Sequence, residues 1–110
     1  MNRIIRQDRR EARRVYISGP MSGVKDLNRQ AFMEVEKRLR EQGEIPINPH
    51  RFPEQKSYQD YLALDLEIIA MAADAIALLS GWEQSPGSKR ELQLALELDL
   101  DIIIFEEQKK

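Results

Sequence analysis

Ala75-Ile76-Ala77-Leu78-Leu79-Ser80-Gly81-Trp82-Glu83-Gln84-Ser85-Pro86-Gly87-Ser88-Lys89-Arg90-Glu91-Leu92 joins a short apolar run to a segment of helical character. Ala75 to Leu79 has the length and unbroken apolarity of a strand covered on both faces. Pro86 suits the first turn of a helix, and Glu91 falls near the start of that helix. A carboxylate in this place, beyond the carboxyl end of a parallel strand, lies where open α/β sheets keep their chemistry. Ser85 and Ser88, with the free N–H groups of the first turn, suit an anionic group such as phosphate. The same residues also have the spacing of a capping box, in which Ser88 and Glu91 satisfy those N–H groups between themselves. Two glycines without a GxGxxG or Walker pattern do not decide between the readings.

Outward from this junction, strands and helices alternate. Val15-Tyr16-Ile17-Ser18 reads as a strand that runs into the loop Gly19-Pro20-Met21-Ser22-Gly23. Asp26 to Gln42 has helical spacing, with Phe32, Val35 and Leu39 on one side, and Gly43 is a good helix stop. Ile45-Pro46-Ile47-Asn48 is a second strand, whose proline places it near a strand end or a sheet edge. Tyr58 to Ala73 is the second helix, Pro86 to Leu98 the third, and Asp101 to Phe105 the last strand. This order predicts a parallel sheet in α/β layers.

At 110 residues, with 42% hydrophobic and 33% charged content, the chain has the composition of one soluble globular domain. It contains no cysteine, which excludes disulfides, thiolate nucleophiles and cysteine-based zinc sites and makes the cytoplasm the simplest location. His50 is the only histidine, in the Pro-flanked segment Asn48 to Pro53, so a multi-histidine metal site is excluded and a loop role is expected, with contact to substrate as the alternative. No apolar run is long enough to span a bilayer, and the amino terminus lacks the core of a signal peptide. Residues 1 to 14 carry six arginines against Asp8 and Glu11, a local charge of +4 that leaves −6 on residues 15 to 110 within a total of −2. The chain therefore divides into an Arg-rich arm, 1–14, and a domain, 15–110, whose acidic body does not suit nucleic acid. The arm reads as a solvated extension, with contact to nucleic acid or a neighbouring subunit as the alternative.

Asp65 is the second clue. On a helical projection it falls in the middle of the apolar side formed by Tyr61, Leu62, Leu64, Ile68, Ile69 and Ala72. An acid there costs free energy unless it is hydrogen-bonded or borders a cavity, so it serves either a site or the tying down of a loop. Asp74, just before a strand, reads as a turn or helix-end residue. Tyr16 is placed either for core packing or to aim its hydroxyl at a carboxylate near the sheet's carboxyl edge. Trp82 is placed either to stack on a flat ring or to close the end of a small core.

Tyr16-Ile17-Ser18-Gly19-Pro20, Asp65, and Gly81-Trp82-Glu83-x-Ser85-x-Gly87-x-x-x-Glu91-Leu92-x-x-Ala95 together resemble the nucleoside 2-deoxyribosyltransferase superfamily, in particular its small, often phage-borne branch. The resemblance runs from about Val15 to Phe105. It implies a flavodoxin-like three-layer sandwich with a parallel sheet of four to five strands, a homo-oligomer, and cleavage of an N-glycosidic bond in a nucleoside or nucleotide. By the same resemblance Glu91 is the nucleophile, Tyr16 orients it, and Asp65 is the acid near base and sugar. Ser18, Gly19, Pro20, Met21, Gly23, Trp82, Ser85, Gly87 and Ser88 are the expected substrate contacts. Ser85 stands where the transferases have an acid and where the nucleoside-monophosphate hydrolases have a phosphate-binding serine, which favours a nucleotide. No metal or redox cofactor is expected. The alternatives are a nucleotide-sensing module without catalysis, an NAD glycohydrolase of the kind built on TIR-like domains, and an interaction protein using the arm.

Overall fold

The computed structural model describes residues 11–105. Four strands form one sheet: β1 (Arg14–Ser18), β2 (Ile45–Ile47), β3 (Ala75–Leu78) and β4 (Asp101–Ile104). Their spatial order is β2-β1-β3-β4 and every pairing is parallel. Three helices connect them: α1 (Arg29–Glu41), α2 (Tyr58–Ala72) and α3 (Pro86–Glu97). This is the expected α/β flavodoxin-like arrangement of layers, with four strands.

The pleat sorts the core. Val15 and Ile17 of β1 and Ala75, Ala77 and Leu79 at β3 pack with Phe32, Val35 and Leu39 of α1. The alternate residues Tyr16, Ile76 and Leu78 pack with Ile69 of α2 and Ala95 of α3 on the opposite face. Both central strands are thus covered on two sides, which explains their unbroken apolarity. The edge strands differ. Pro46 lies in β2, at the sheet edge its missing N–H requires, and β4 leaves Ile104 55% exposed.

Two boundaries depart from expectation. Helix α1 begins at Arg29 and not at Asp26, because Asp26, Leu27 and Asn28 have left-handed backbone, with φ of 53°, 52° and 62°. Asp and Asn tolerate that region, whereas for Leu27 it costs roughly 1 kcal/mol. Asn28 anchors the segment by donating to the Pro20 carbonyl at 2.9 Å. The apolar spacing that marks this helix begins at Phe32, so it carries no information about the preceding turn. The first strand also starts one residue before Val15, at Arg14. Arg13 pairs with Glu44 and with Asp101 (3.1 Å), and Asp74 accepts the Arg14 backbone N–H at 2.8 Å. These contacts close the amino ends of all four strands. The rest of the Arg-rich arm, residues 1–10, lies outside the described residues. Among the described residues, no helix is long and apolar enough to cross a membrane.

Candidate active site

The chain leaves β1 toward one sheet edge to form β2, then crosses back to form β3 on the other side of β1. The carboxyl ends of β1 and β3 therefore flank the crevice where such sheets bind ligands. Strand β1 sends Tyr16 and Ser18, two residues apart, to the face shared with α2 and α3. Beyond β3, Gly81 takes a φ of 90° and a short turn, Trp82–Gln84, leads into α3.

At the start of α3 the capping box does not form. Ser85 is the cap, its hydroxyl accepting the Ser88 N–H at 3.2 Å, with Pro86 in the first turn. Glu91 turns inward, 6% exposed. Its Oε1 accepts from the Ser18 hydroxyl at 2.7 Å and its Oε2 from the Tyr16 hydroxyl at 3.1 Å. A Glu engaged in capping would reach back to the main chain; both oxygens of Glu91 go to side-chain hydroxyls instead.

Asp65 projects from α2 into the same hollow, and its buried Oδ1 has no hydrogen-bond partner. Burial pushes the Glu91 carboxyl up to about 8; the Ser18 hydroxyl draws it back, the Asp65 charge raises it, and Tyr16 lowers it. Burial also raises Asp65, with contact to Glu91 and Tyr16 offsetting part of the shift. Tyr16 is pushed well above the usual phenol range by burial first and then by the two acids, so it remains a neutral donor. Two carboxyls that both resist ionising form a pair that holds a proton at neutral pH.

The hollow has a volume of about 600 Å³. Tyr16, Ser18, Gly19, Pro20, Met21, Asp65, Ser85, Gly87, Ser88 and Glu91 all line it, so ten of the residues singled out in sequence converge. Two do not. Gly23 is not part of the lining, and its missing Cβ would face open space. Trp82 is not part of the lining either; it is partly buried and packs against the cluster around Ile69 and Ile76. Asp74 is structural, held by the backbone and side chain of Arg14. Ser88 is 2% exposed, and its hydroxyl is buried without a partner.

Several lining residues were not among those expected. Tyr58 and Tyr61 also line the hollow, two turns and one turn before Asp65 on α2. Their spacing of seven and four residues from Asp65 was a readable signal, since it places all three on one helical face. Arg29 and His50 line the hollow as well. His50 donates from Nε2 to the Leu27 carbonyl at 2.9 Å and meets the Phe32 ring edge-on. Burial holds its pKa below the usual imidazole value. Its turn, Pro49–Arg51, is pinned to α1 by Glu36, which accepts from Asn48 at 2.9 Å and pairs with Arg51 at 2.7 Å. Only tertiary packing brings this turn to the site. Among the described residues, no cluster of three or more His, Cys, Asp or Glu side chains is gathered as a metal site would need.

The chain is similar in structure to the 2-desoxiribosyltransferase from Leishmania mexicana, with a TM-score of 0.68 and 20% identity over 89% of this chain and 67% of that one. That likeness is one of fold, the fold implied by the Tyr16, Asp65 and Glu91 motifs. No curated protein matches. The family profile described as a domain of unknown function, DUF4406, matches residues 13–104, which begins at the arginine that ties the strand ends together and ends with β4. The chain belongs to the DUF4406 family.

Proposed function

We propose that this protein cleaves the N-glycosidic bond of a nucleoside or nucleoside monophosphate, with Glu91 as the nucleophile. The observation that carries the reading is Glu91 itself, a buried carboxylate beside a 600 Å³ hollow with a hydroxyl donor on each oxygen. Burying such a group costs free energy that packing alone does not require.

The chemistry follows from the pair. The reactive form of the pair is the one with its single proton on Asp65: ionised Glu91 then attacks the anomeric carbon as the bond to the base breaks, and the base leaves with that proton. Water then attacks the same carbon, the bond to Glu91 breaks, and Asp65 takes the proton from that water. Tyr16 orients the carboxylate throughout. A second base in place of water turns hydrolysis into transfer: its nitrogen attacks the anomeric carbon as the bond to Glu91 breaks, and Asp65 takes the proton from that nitrogen. Ser85, Gly87 and Ser88, at the positive end of the twelve-residue helix α3, suit a 5′-phosphate, and the unpartnered Ser88 hydroxyl has a proton to give it. This favours a nucleotide over a free nucleoside. The reaction needs no metal or redox cofactor. The reading includes a cytoplasmic homo-oligomer, supported by the absence of cysteine and by exposed apolar residues such as Met71 and Leu96.

The test is incubation of the protein and its Glu91→Gln variant with a panel of nucleosides, nucleoside monophosphates and NAD, reading free base by chromatography. Base release by the native protein and at least a hundredfold less by the variant is expected. Equal release by both removes Glu91 from its role. Nicotinamide as the sole product would move the reading to NAD glycohydrolysis, and thermal stabilisation without product would leave a sensor.

A further inference from the structure

Ser18 was expected to touch substrate, yet its hydroxyl is turned to the nucleophile. It is 1% exposed and donates to Glu91 Oε1 at 2.7 Å, a shorter bond than the 3.1 Å one from Tyr16 to Oε2. A hydroxyl has one proton to give, and here the carboxylate takes it. The group comes from a rigid place. Ser18 pairs in register with Leu78, its carbonyl accepts the Leu79 N–H at 2.9 Å, and the adjoining Gly19 lies where a Cβ would stand 2.8 Å from Leu79 Cβ.

We propose that Ser18 is a positioning residue for the nucleophile, holding Oε1 of Glu91 so that Oε2 attacks and keeping the carboxylate available in its ionised form. The inference rests on the glycosidic reading above for its role in turnover, but not for its effect on Glu91. A short hydrogen bond to an anionic oxygen is stronger than a long one, so Oε2 retains more of the charge that forms the new bond. When the bond from the anomeric carbon to Oε2 forms, Oε1 becomes the carbonyl oxygen of an ester and the Ser18 bond weakens to a neutral one. When water displaces Glu91, the electron pair of the breaking bond returns to the carboxylate and the Ser18 bond regains its strength. Ser18 thereby favours release of the sugar from Glu91.

Other charged or titratable groups face this carboxylate. Tyr16 on β1 and Asp65 on α2 adjoin it, and Arg29, His50, Glu54, Tyr58 and Tyr61 share the lining of the hollow. All are retained when Ser18 alone is changed. The experiment is therefore an NMR titration of the Glu91 carboxyl carbon, assigned by its loss in Glu91→Gln, in the native protein, Ser18→Ala and Ser18→Cys. Losing a hydrogen bond to a charged group raises the midpoint by about one pH unit in Ser18→Ala, with Ser18→Cys, a weaker donor of similar volume, between the two. If the alanine variant does not fold, the cysteine variant carries the test.

An unmoved midpoint overturns the proposal. Against an active nucleotide, Ser18→Ala is expected to lower kcat about tenfold with KM unchanged. A raised KM with kcat and midpoint intact would make Ser18 a substrate contact and overturn it equally. A shifted midpoint in a protein that releases no base from any nucleotide supports the proposal on Glu91 while removing the glycosidic reading.

Discussion

Replacing Glu91 with Gln is expected to stabilise the fold, and only above mildly acidic pH. The carboxyl is pushed from 4.5 to about 8 on folding, with burial as the largest cause. A group whose folded pKa is raised gives its full stabilisation below the unfolded value and loses it as pH rises through the folded one. Between those limits the unfolded chain has released the proton while the native protein still holds it. At 1.36 kcal/mol per pH unit the interval corresponds to an upper figure of about 5 kcal/mol, and water entering through the open mouth of the hollow brings it toward about 2 kcal/mol. Gln keeps a side-chain oxygen for the Ser18 or Tyr16 hydroxyl but has no charge to desolvate. For a domain of this size 1 kcal/mol moves Tm by several degrees, so the difference between the proteins should reach roughly 10 °C. The assay is thermal and urea unfolding of both proteins from pH 5 to pH 9. The curves should meet near pH 5, diverge up to about pH 8 as the native protein loses stability, and keep a constant gap above it. Parallel curves would mean that Glu91 ionises without cost, and the account of its burial would fall.

Tyr16→Phe removes one donor from Glu91 while keeping the ring in the core; loss of a hydrogen bond to a charged group predicts a fall in kcat of tenfold or more, measured as base release, with packing intact. Gly19→Ala puts a Cβ 2.8 Å from Leu79 Cβ, an atom too near its backbone to yield, so a loss of about 1 to 3 kcal/mol is expected in urea unfolding. Gly87→Ala meets only the Tyr58 hydroxyl, at 3.0 Å and at the tip of a side chain 55% exposed. That ring can swing, so stability should be nearly unchanged while KM rises. Arg51→Ala leaves the buried Glu36 without its main partner, whose pairing holds that carboxyl down to about 2. The variant should therefore unfold more easily at pH 7, with the gap to the native protein closing as pH falls from 4.5 toward 2, where Glu36 is protonated in both.

Much of this architecture is readable in the chain because its signals are local. The apolar run Ala75 to Leu79 needs cover on two faces, Pro46 needs an edge, and the Phe32, Val35 and Leu39 spacing needs a helix against the sheet; the structure meets all three. Asp65 on an apolar side and Glu91 after a strand are also visible as residues out of keeping with simple packing. The misreadings have local causes too. Nothing in Asp26-Leu27-Asn28 competes with a helix except the pull of Asn28 on the Pro20 carbonyl, and Trp82 offers the same ring to a base or to a core.

The amino-acid order alone thus determined the alternation of strands and helices, the two-sided burial of the central strands and the acids that do not belong in a core, because periodicity and propensity act over a few residues. The tertiary structure decided which way Glu91 turns. Ser85 and Ser88 supply a cap whatever Glu91 does, and only the placing of β1 beside β3 brings Tyr16 and Ser18, more than seventy residues away, within 3.1 Å and 2.7 Å of its oxygens. Packing between segments likewise brings His50 and Arg29 into the lining of the hollow. Such pairings depend on sheet order and crossover, which act between segments and leave no mark within any one of them.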